Sequence, residues 1–139
     1  MRFWDTSAVV PLVVRQSASA KADRWHAEDP GIAIWTLTTT EITSALWRLR
    51  REEALTEDDA RTAELRVEEL ASASYIVADV DSVKAVAARL LRVHTLRAAD
   101  ALQLGAALVW AGSRPDGKTL HTLDERLALA ARREGFSVS

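Results

Sequence analysis

A chain of 139 residues with a net charge of −2 and no cysteine has the size of one domain. The lack of cysteine excludes disulfides, thiolate metal sites and cysteine nucleophiles, and it is typical of a reducing cytoplasm. No segment approaches the length of a membrane span. Proteins that bind nucleic acid by charge alone are usually basic. We therefore expect one cytoplasmic domain over residues 1–139, with no membrane partner, which could bind nucleic acid only through local groups or bound cations.

Short apolar strands alternate with helices along the first half of the chain. The turn signal Asp29-Pro30-Gly31 separates the second helix from the second strand, and Thr38 opens the next helix. We predict strands at 2–4 and 32–37 and helices at 7–14, 18–28 and 38–53.

The second half continues the same alternation. Thr56 is a candidate N-cap, and Gly135 is a candidate C-cap of the last helix. We predict helices at 56–73, 81–93, 96–112 and 124–135, a loop at 113–117, and strands at 75–78, 119–122 and 136–138. Strands that alternate with helices predict an α/β fold, with a short parallel sheet of four or five strands flanked on both faces by about seven helices.

Four acids fall where such a sheet would bring them together. Asp5 and Asp124 follow predicted strands directly, and Glu41 lies in the first turn of the helix after the second strand. Asp100 lies in the first turn of an otherwise apolar helix, in which Gln103 is the one polar side chain after that turn. Ligands of open parallel sheets bind at the carboxyl ends of the strands. Asp100 joins the other acids there if its helix begins at the same edge.

Each acid also has a purely structural interpretation. Glu41 completes the capping box that Thr38 begins, and Asp124 either belongs to a second capping box or is itself an N-cap. Asp5 can cap the first helix, and Asp100 can complement the dipole of its own helix. Clustered carboxylates repel one another, however, and a cluster of oxygen ligands favours a hard cation, Mg²⁺ or Mn²⁺.

Four segments of the chain together resemble the PIN-domain nucleases, in particular the VapC toxins of VapBC-type toxin–antitoxin pairs. The matching segments come in the family's order and span nearly the whole chain; they are "FWDTSAVV", "TLTTTEITSALWRL", "LRAADALQLGAAL" and "LHTLDERLALAARREGFSV". The resemblance implies a Rossmann-like PIN domain that binds Mg²⁺ or Mn²⁺ and acts as an endoribonuclease. It also implies a small antitoxin as inhibitor and a homodimer, or a larger assembly with the antitoxin.

The resemblance assigns roles to individual residues. Asp5, Glu41, Asp100 and Asp124 match the family's metal-site acids, with Glu41 either a ligand or the general base. Ser7 and Thr122 match the hydroxyl positions that hold those acids or a metal-bound water. Arg97, three residues before Asp100, is a candidate phosphate contact, for which simple surface exposure is the alternative.

Hydrolysis by a metal-activated water does not use the RNA 2′-hydroxyl, so we expect products with 5′-phosphate and 3′-hydroxyl ends. The main alternative is a non-catalytic metal- or RNA-binding module of the same fold. A haloacid-dehalogenase-type phosphatase and a phosphorylatable receiver domain are disfavoured. The phosphatase needs an Asp where Ser7 stands and a Lys near its last acids. The receiver domain needs an acidic pair where Asp5 stands alone and a Lys toward its end. Neither Lys is present at the required position.

Overall fold

Five short parallel strands form one sheet in the computed structural model, which describes all 139 residues. The strands are β1 (Arg2–Trp4), β2 (Ile32–Trp35), β3 (Tyr75–Val77), β4 (Thr119–His121) and β5 (Ser137–Val138). Their order across the sheet is β3-β2-β1-β4-β5, and every neighbouring pair is parallel. The predicted α/β class and parallel sheet are confirmed.

Seven helices connect these strands, as predicted. They are α1 (Thr6–Val13), α2 (Ser19–Glu28), α3 (Thr38–Arg51), α4 (Glu57–Ser72), α5 (Val80–Val93), α6 (Ala98–Trp110) and α7 (Glu125–Glu134). Six of the seven predicted helix starts differ from the observed ones, by one or two residues. Helix α5 begins at Val80, because Asp79 accepts a hydrogen bond from the Ser82 amide as its N-cap, and α6 begins two residues later than predicted. No helix combines the length and apolar character that crossing a membrane requires.

The sheet separates two hydrophobic cores because successive strand side chains point to opposite faces. Phe3 packs with residues of α5, α6 and α7, whereas its neighbour Trp4 packs with residues of α1 to α4. The central strands are therefore apolar on both faces, which is the pattern of a parallel sheet covered by helices on each side. This arrangement leaves the carboxyl edge of the sheet as a place where polar side chains from several elements can meet.

Two glycines occupy positions where a larger residue would be unfavourable, one because of a close contact and one because of its backbone conformation. Gly105 lies where α6 crosses α5, and a Cβ there would come within 3.0 Å of the Val83 carbonyl oxygen. Gly135 ends α7 with a φ of 106°, the left-handed conformation that the predicted C-cap needs.

The strand order places a crevice beside β1. The chain moves from β1 outward to β2 and β3 on one side and returns to β4 and β5 on the other. In open α/β sheets, ligands bind at such a point of reversal, outside the carboxyl ends of the strands. Asp5 follows β1 at this point, and its amide donates to the carbonyl of His121, the last residue of β4.

Candidate active site

Asp5 is a buried carboxylate at the junction of β1 and α1. It is 5% exposed, and its Oδ1 accepts hydrogen bonds from the Ser7 hydroxyl at 2.8 Å and the Ala8 amide at 3.2 Å. The predicted N-cap role of Asp5 is confirmed. Burial raises its pKa to about 7, although the hydrogen bonds from Ser7, Ala8 and Thr122 act in the opposite direction. The charged form is thus poorly solvated, and a cation nearby would stabilise it.

Glu41 does not cap its own helix, so the capping interpretation of this residue is wrong. The N-cap of α3 is Leu37, which has no side chain able to start a capping box. Glu41 instead accepts a hydrogen bond at Oε2 from the Thr6 hydroxyl, and the Gln103 amide nitrogen lies 3.0 Å from the same oxygen. These contacts turn the carboxylate away from its own backbone and toward α1 and α6.

Gln103 is a site residue that sequence reasoning missed. It is 2% exposed, and its Nε2 lies 2.9 Å from Thr6 Oγ1 and 3.1 Å from the hydroxyl of buried Thr38, in addition to Glu41. One amide therefore joins α1, α3 and α6 directly behind the Glu41 carboxylate. The signal was available in the sequence, because a lone polar side chain in an apolar helix needs a buried partner.

Asp100 and Asp124 begin neighbouring helices at the same edge. Asp124 is the N-cap of α7, the second of its two structural interpretations, and its Oδ1 accepts from the Leu127 amide at 2.8 Å. Asp100 lies in the first turn of α6, where its Oδ2 accepts a long hydrogen bond of 3.4 Å from the Arg97 amide. Burial, followed by the negative charge of Asp124, raises the pKa of Asp100. The two carboxylates are thus close enough to interact electrostatically.

Two hydroxyls connect Asp5 to the segment that carries Asp124. Ser7 Oγ donates to Asp5 and accepts from the Leu123 amide at 2.8 Å. Thr122 Oγ1 lies 3.3 Å from the Ser7 hydroxyl and accepts from the Asp124 amide at 3.0 Å. Ser7 and Thr122 therefore hold the loop after β4 against the start of α1.

All four acids line one cavity of about 440 Å³, and Thr6, Ser7 and Gln103 contribute to its wall. Asp100 and Asp124 also line an adjoining recess of about 490 Å³, whose wall includes Arg97 and Arg126. Arg97 is exposed at the rim of this recess, which is where a phosphate contact would have to lie.

The side chains of this cavity are not drawn to a common point. No group of three His, Cys, Asp or Glu side chains is arranged to hold a metal ion. Like charges repel, and each carboxylate is turned to donors of its own surroundings. In Glu41, Asp100 and Asp124, however, the protein's hydrogen bonds occupy one carboxylate oxygen and leave the other without a protein donor.

This donor set fits a hard divalent cation. Four carboxylates line the same cavity, and Arg48 is the one cationic side chain in its wall. Mg²⁺ and Mn²⁺ prefer oxygen ligands, and a positive ion would offset the unfavourable desolvation of Asp5 and Asp100.

Similarity to known proteins agrees with this geometry. The PIN domain family model matches residues 2–133. Ribonuclease VapC45 and Ribonuclease VapC49, from two strains of Mycobacterium tuberculosis, are each 32% identical over 138 residues, which cover 99% of this chain and 93% of theirs. The crystal structure of FitAcB from Neisseria gonorrhoeae superposes with a TM-score of 0.67 at 17% identity, covering 99% of this chain and 96% of that one, and shows the same fold. The residues that line the acidic cavity all fall within the segment that the family model matches. Because this segment spans most of the sequence, the chain belongs to the PIN-domain family.

Proposed function

We propose that the protein is a metal-dependent endoribonuclease that hydrolyses RNA phosphodiester bonds. The observation that carries this proposal is the cavity at the carboxyl edge of the sheet, where four carboxylates meet and two have raised pKa values. An acidic cavity repels a phosphodiester unless a cation neutralises it. The names of the two relatives that are 32% identical, both ribonucleases, support RNA as the substrate.

Asp5, Asp100, Asp124 and Glu41 are the residues proposed to hold Mg²⁺ or Mn²⁺. When bound, such an ion lowers the pKa of a coordinated water and neutralises charge on the phosphodiester. The hydroxyls of Ser7 and Thr122 hold Asp5 next to the loop that carries Asp124. Gln103 and Thr6 fix Oε2 of Glu41, so that its Oε1 is the oxygen left either to bind the ion or to accept a proton from the attacking water.

We further propose that the chain is the toxin of a toxin–antitoxin pair and forms a homodimer. The names of the VapC relatives support this role. The wall of the acidic cavity that includes Val10, Ala45 and Leu49 is apolar and continuous with the acids. A small antitoxin that covers this wall would close the cavity to RNA.

Cleavage of total cellular RNA by the purified chain tests the enzymatic proposal. We expect discrete fragments with 5′-phosphate and 3′-hydroxyl ends in Mg²⁺ or Mn²⁺. We expect none in EDTA and none from Asp100→Asn, which keeps the shape of the side chain but loses its charge. Asp116→Asn, at an exposed loop position, is the matched control and should cleave like wild type.

Three outcomes would contradict the proposal or one of its parts. Ends carrying a 2′,3′-cyclic phosphate would exclude attack by water, because that product requires the 2′-hydroxyl as nucleophile. A folded Asp100→Asn variant with wild-type specific activity would show that Asp100 is not a metal ligand and only complements the dipole of α6. Metal and RNA binding without cleavage would instead support the non-catalytic module.

A further inference from the structure

Helix α7 presents a second, smaller recess that has no acidic side chain in its wall. Arg126, Leu129, Ala130 and Arg133 line it, together with His94 and Thr95 from the connection between α5 and α6. The four α7 residues stand at positions i, i+3, i+4 and i+7 and so lie on one face of the helix. We call these four residues the α7 basic face. The recess between this face and the α5–α6 connection has a volume of about 140 Å³.

The α7 basic face is continuous with the acidic site. Arg126 lines both this recess and the one that contains Arg97, Asp100 and Asp124. The positive charges of Arg97 and Arg126 already act on Asp100 and lower its pKa, against the larger effect of burial. From Arg126, the face leads away from the acids toward Arg133, roughly 10 Å farther along the helix at 1.5 Å per residue.

The arginines at this surface are not neutralised by the protein. Arg97, Arg126 and Arg133 are exposed, and none of them forms an ion pair. Glu134, the residue after Arg133, is engaged elsewhere. It pairs with Arg89 at 2.6 Å and with Nε2 of His94 at 2.7 Å, and the Arg89 hydrogen bond is the largest cause of its lowered pKa. Asp100, Asp124 and Glu125 lie beside Arg97 and Arg126 in the adjoining recess, whereas the wall that contains Arg133 has no acidic side chain.

We propose that the α7 basic face binds phosphate groups of the RNA strand on one side of the cleaved bond, with Arg126 nearer the acidic site and Arg133 farther from it. This inference rests on the proposed ribonuclease function and assigns a path to its substrate. Guanidinium groups match phosphate oxygens in a two-pronged geometry. The roughly 10 Å between the two arginines spans about three nucleotides of a stacked strand at 3.4 Å each.

Binding of RNA to Arg133→Gln tests this path at a position outside the acidic site. The probe is a fluorescein-labelled single-stranded RNA of roughly 12 nucleotides, titrated in Mg²⁺ between about 50 and 200 mM salt, with every protein carrying Asp100→Asn so that the RNA is bound without being cleaved. We expect Arg133→Gln to weaken binding about five-fold at 0.1 M salt and to reduce the slope of log K against log salt by about 0.7, as the loss of one phosphate contact on a single strand requires. Arg132→Gln is the matched control, because Arg132 is exposed on the same helix but does not line the recess, and it should bind like the protein that carries Asp100→Asn alone.

Three results separate this inference from the proposed function. If Arg133→Gln leaves the affinity for RNA and the salt slope unchanged while wild type cleaves RNA and Asp100→Asn does not, the path is wrong and the ribonuclease stands. If the variant loses the contact but no RNA is cleaved by wild type, the path stands and the ribonuclease proposal fails. If a labelled polyglutamate peptide binds wild type with the same dependence on Arg133, the surface binds polyanions without selecting RNA, and the path is overturned.

Discussion

Asp5→Asn is expected to stabilise the metal-free protein at neutral and alkaline pH while abolishing RNA cleavage. The pKa of Asp5 rises from its ordinary value of 3.8 to about 7 in the folded protein, chiefly because the carboxylate is buried. The folded state therefore binds this proton more tightly than the unfolded state. Stability contributed by the protonated group is present at low pH and is lost as pH rises from about 4 to about 7.

The size of the effect follows from the two pKa values. Above pH 7 their difference corresponds to about 4 kcal/mol of destabilisation, which is an upper value because water entering the cavity screens the charge. Asparagine keeps an oxygen that can accept from the Ser7 hydroxyl and the Ala8 amide, and so preserves the N-cap. Its amide nitrogen needs an acceptor at the cavity, which costs about 1–2 kcal/mol if none is found. We expect a net stabilisation of about 2 kcal/mol near pH 8.

Denaturant unfolding in EDTA at about pH 4, 6 and 8 measures this prediction. The free-energy gain of Asp5→Asn should be largest at pH 8. At pH 4, where Asp5 is neutral in the folded state, it should give way to a loss of at most about 1–2 kcal/mol, the cost of an unpaired amide nitrogen. Asp116→Asn, which removes an exposed charge, is the control and should show no such pH dependence. A variant less stable than wild type at pH 8, or a gain that does not shrink toward pH 4, would refute the reasoning from burial.

Two further substitutions test contacts on which the site and the fold depend. Gln103→Leu is expected to lower the free energy of unfolding by about 1–3 kcal/mol and to reduce kcat, because Glu41 and Thr38 each lose a buried partner. An unchanged free energy of unfolding together with an unchanged kcat would show that the Gln103 amide does not position Glu41. Gly135→Ala is expected to destabilise by about 1 kcal/mol or more, because φ is 106° and the new Cβ would lie 3.2 Å from Pro115. Gly112→Ala, which has a φ of 60° but open space around the Cβ, measures the backbone strain alone; an equal loss at both positions would remove any role for the Pro115 contact.

Much of the fold could be predicted because its signals are local. Strand and helix identity follow from short-range hydrophobic spacing and from caps, and every predicted element is present in the predicted order. The errors lie at the ends of elements, where a single side chain decides. The Asp79 side chain starts α5 one residue before the predicted start, and β2 ends two residues earlier than predicted, at Trp35. These positions depend on hydrogen bonds that no periodic pattern encodes.

The hydrogen-bond partners of the acids could not be predicted in the same way. Glu41 follows a threonine at the spacing of a capping box, yet it contacts residues 35 and 62 positions away, Thr6 and Gln103. A local rule cannot weigh a partner that another helix supplies. Asp5 and Asp124 do cap their helices, and they also line the acidic cavity, so the structural and functional interpretations are compatible for both.

By itself, the sequence determined the class of fold, the order of its elements and which acids follow the strands, because each depends on residue types and spacing within a few turns of chain. Only the tertiary structure decided what those acids contact and how strongly burial acts on them. The raised pKa of Asp5, the Gln103 bridge and the nearness of the α7 basic face to Asp100 all depend on segments far apart in the chain. Desolvation and charge–charge interaction are properties of distances in space, and those distances exist only once the sheet has brought its carboxyl edge together.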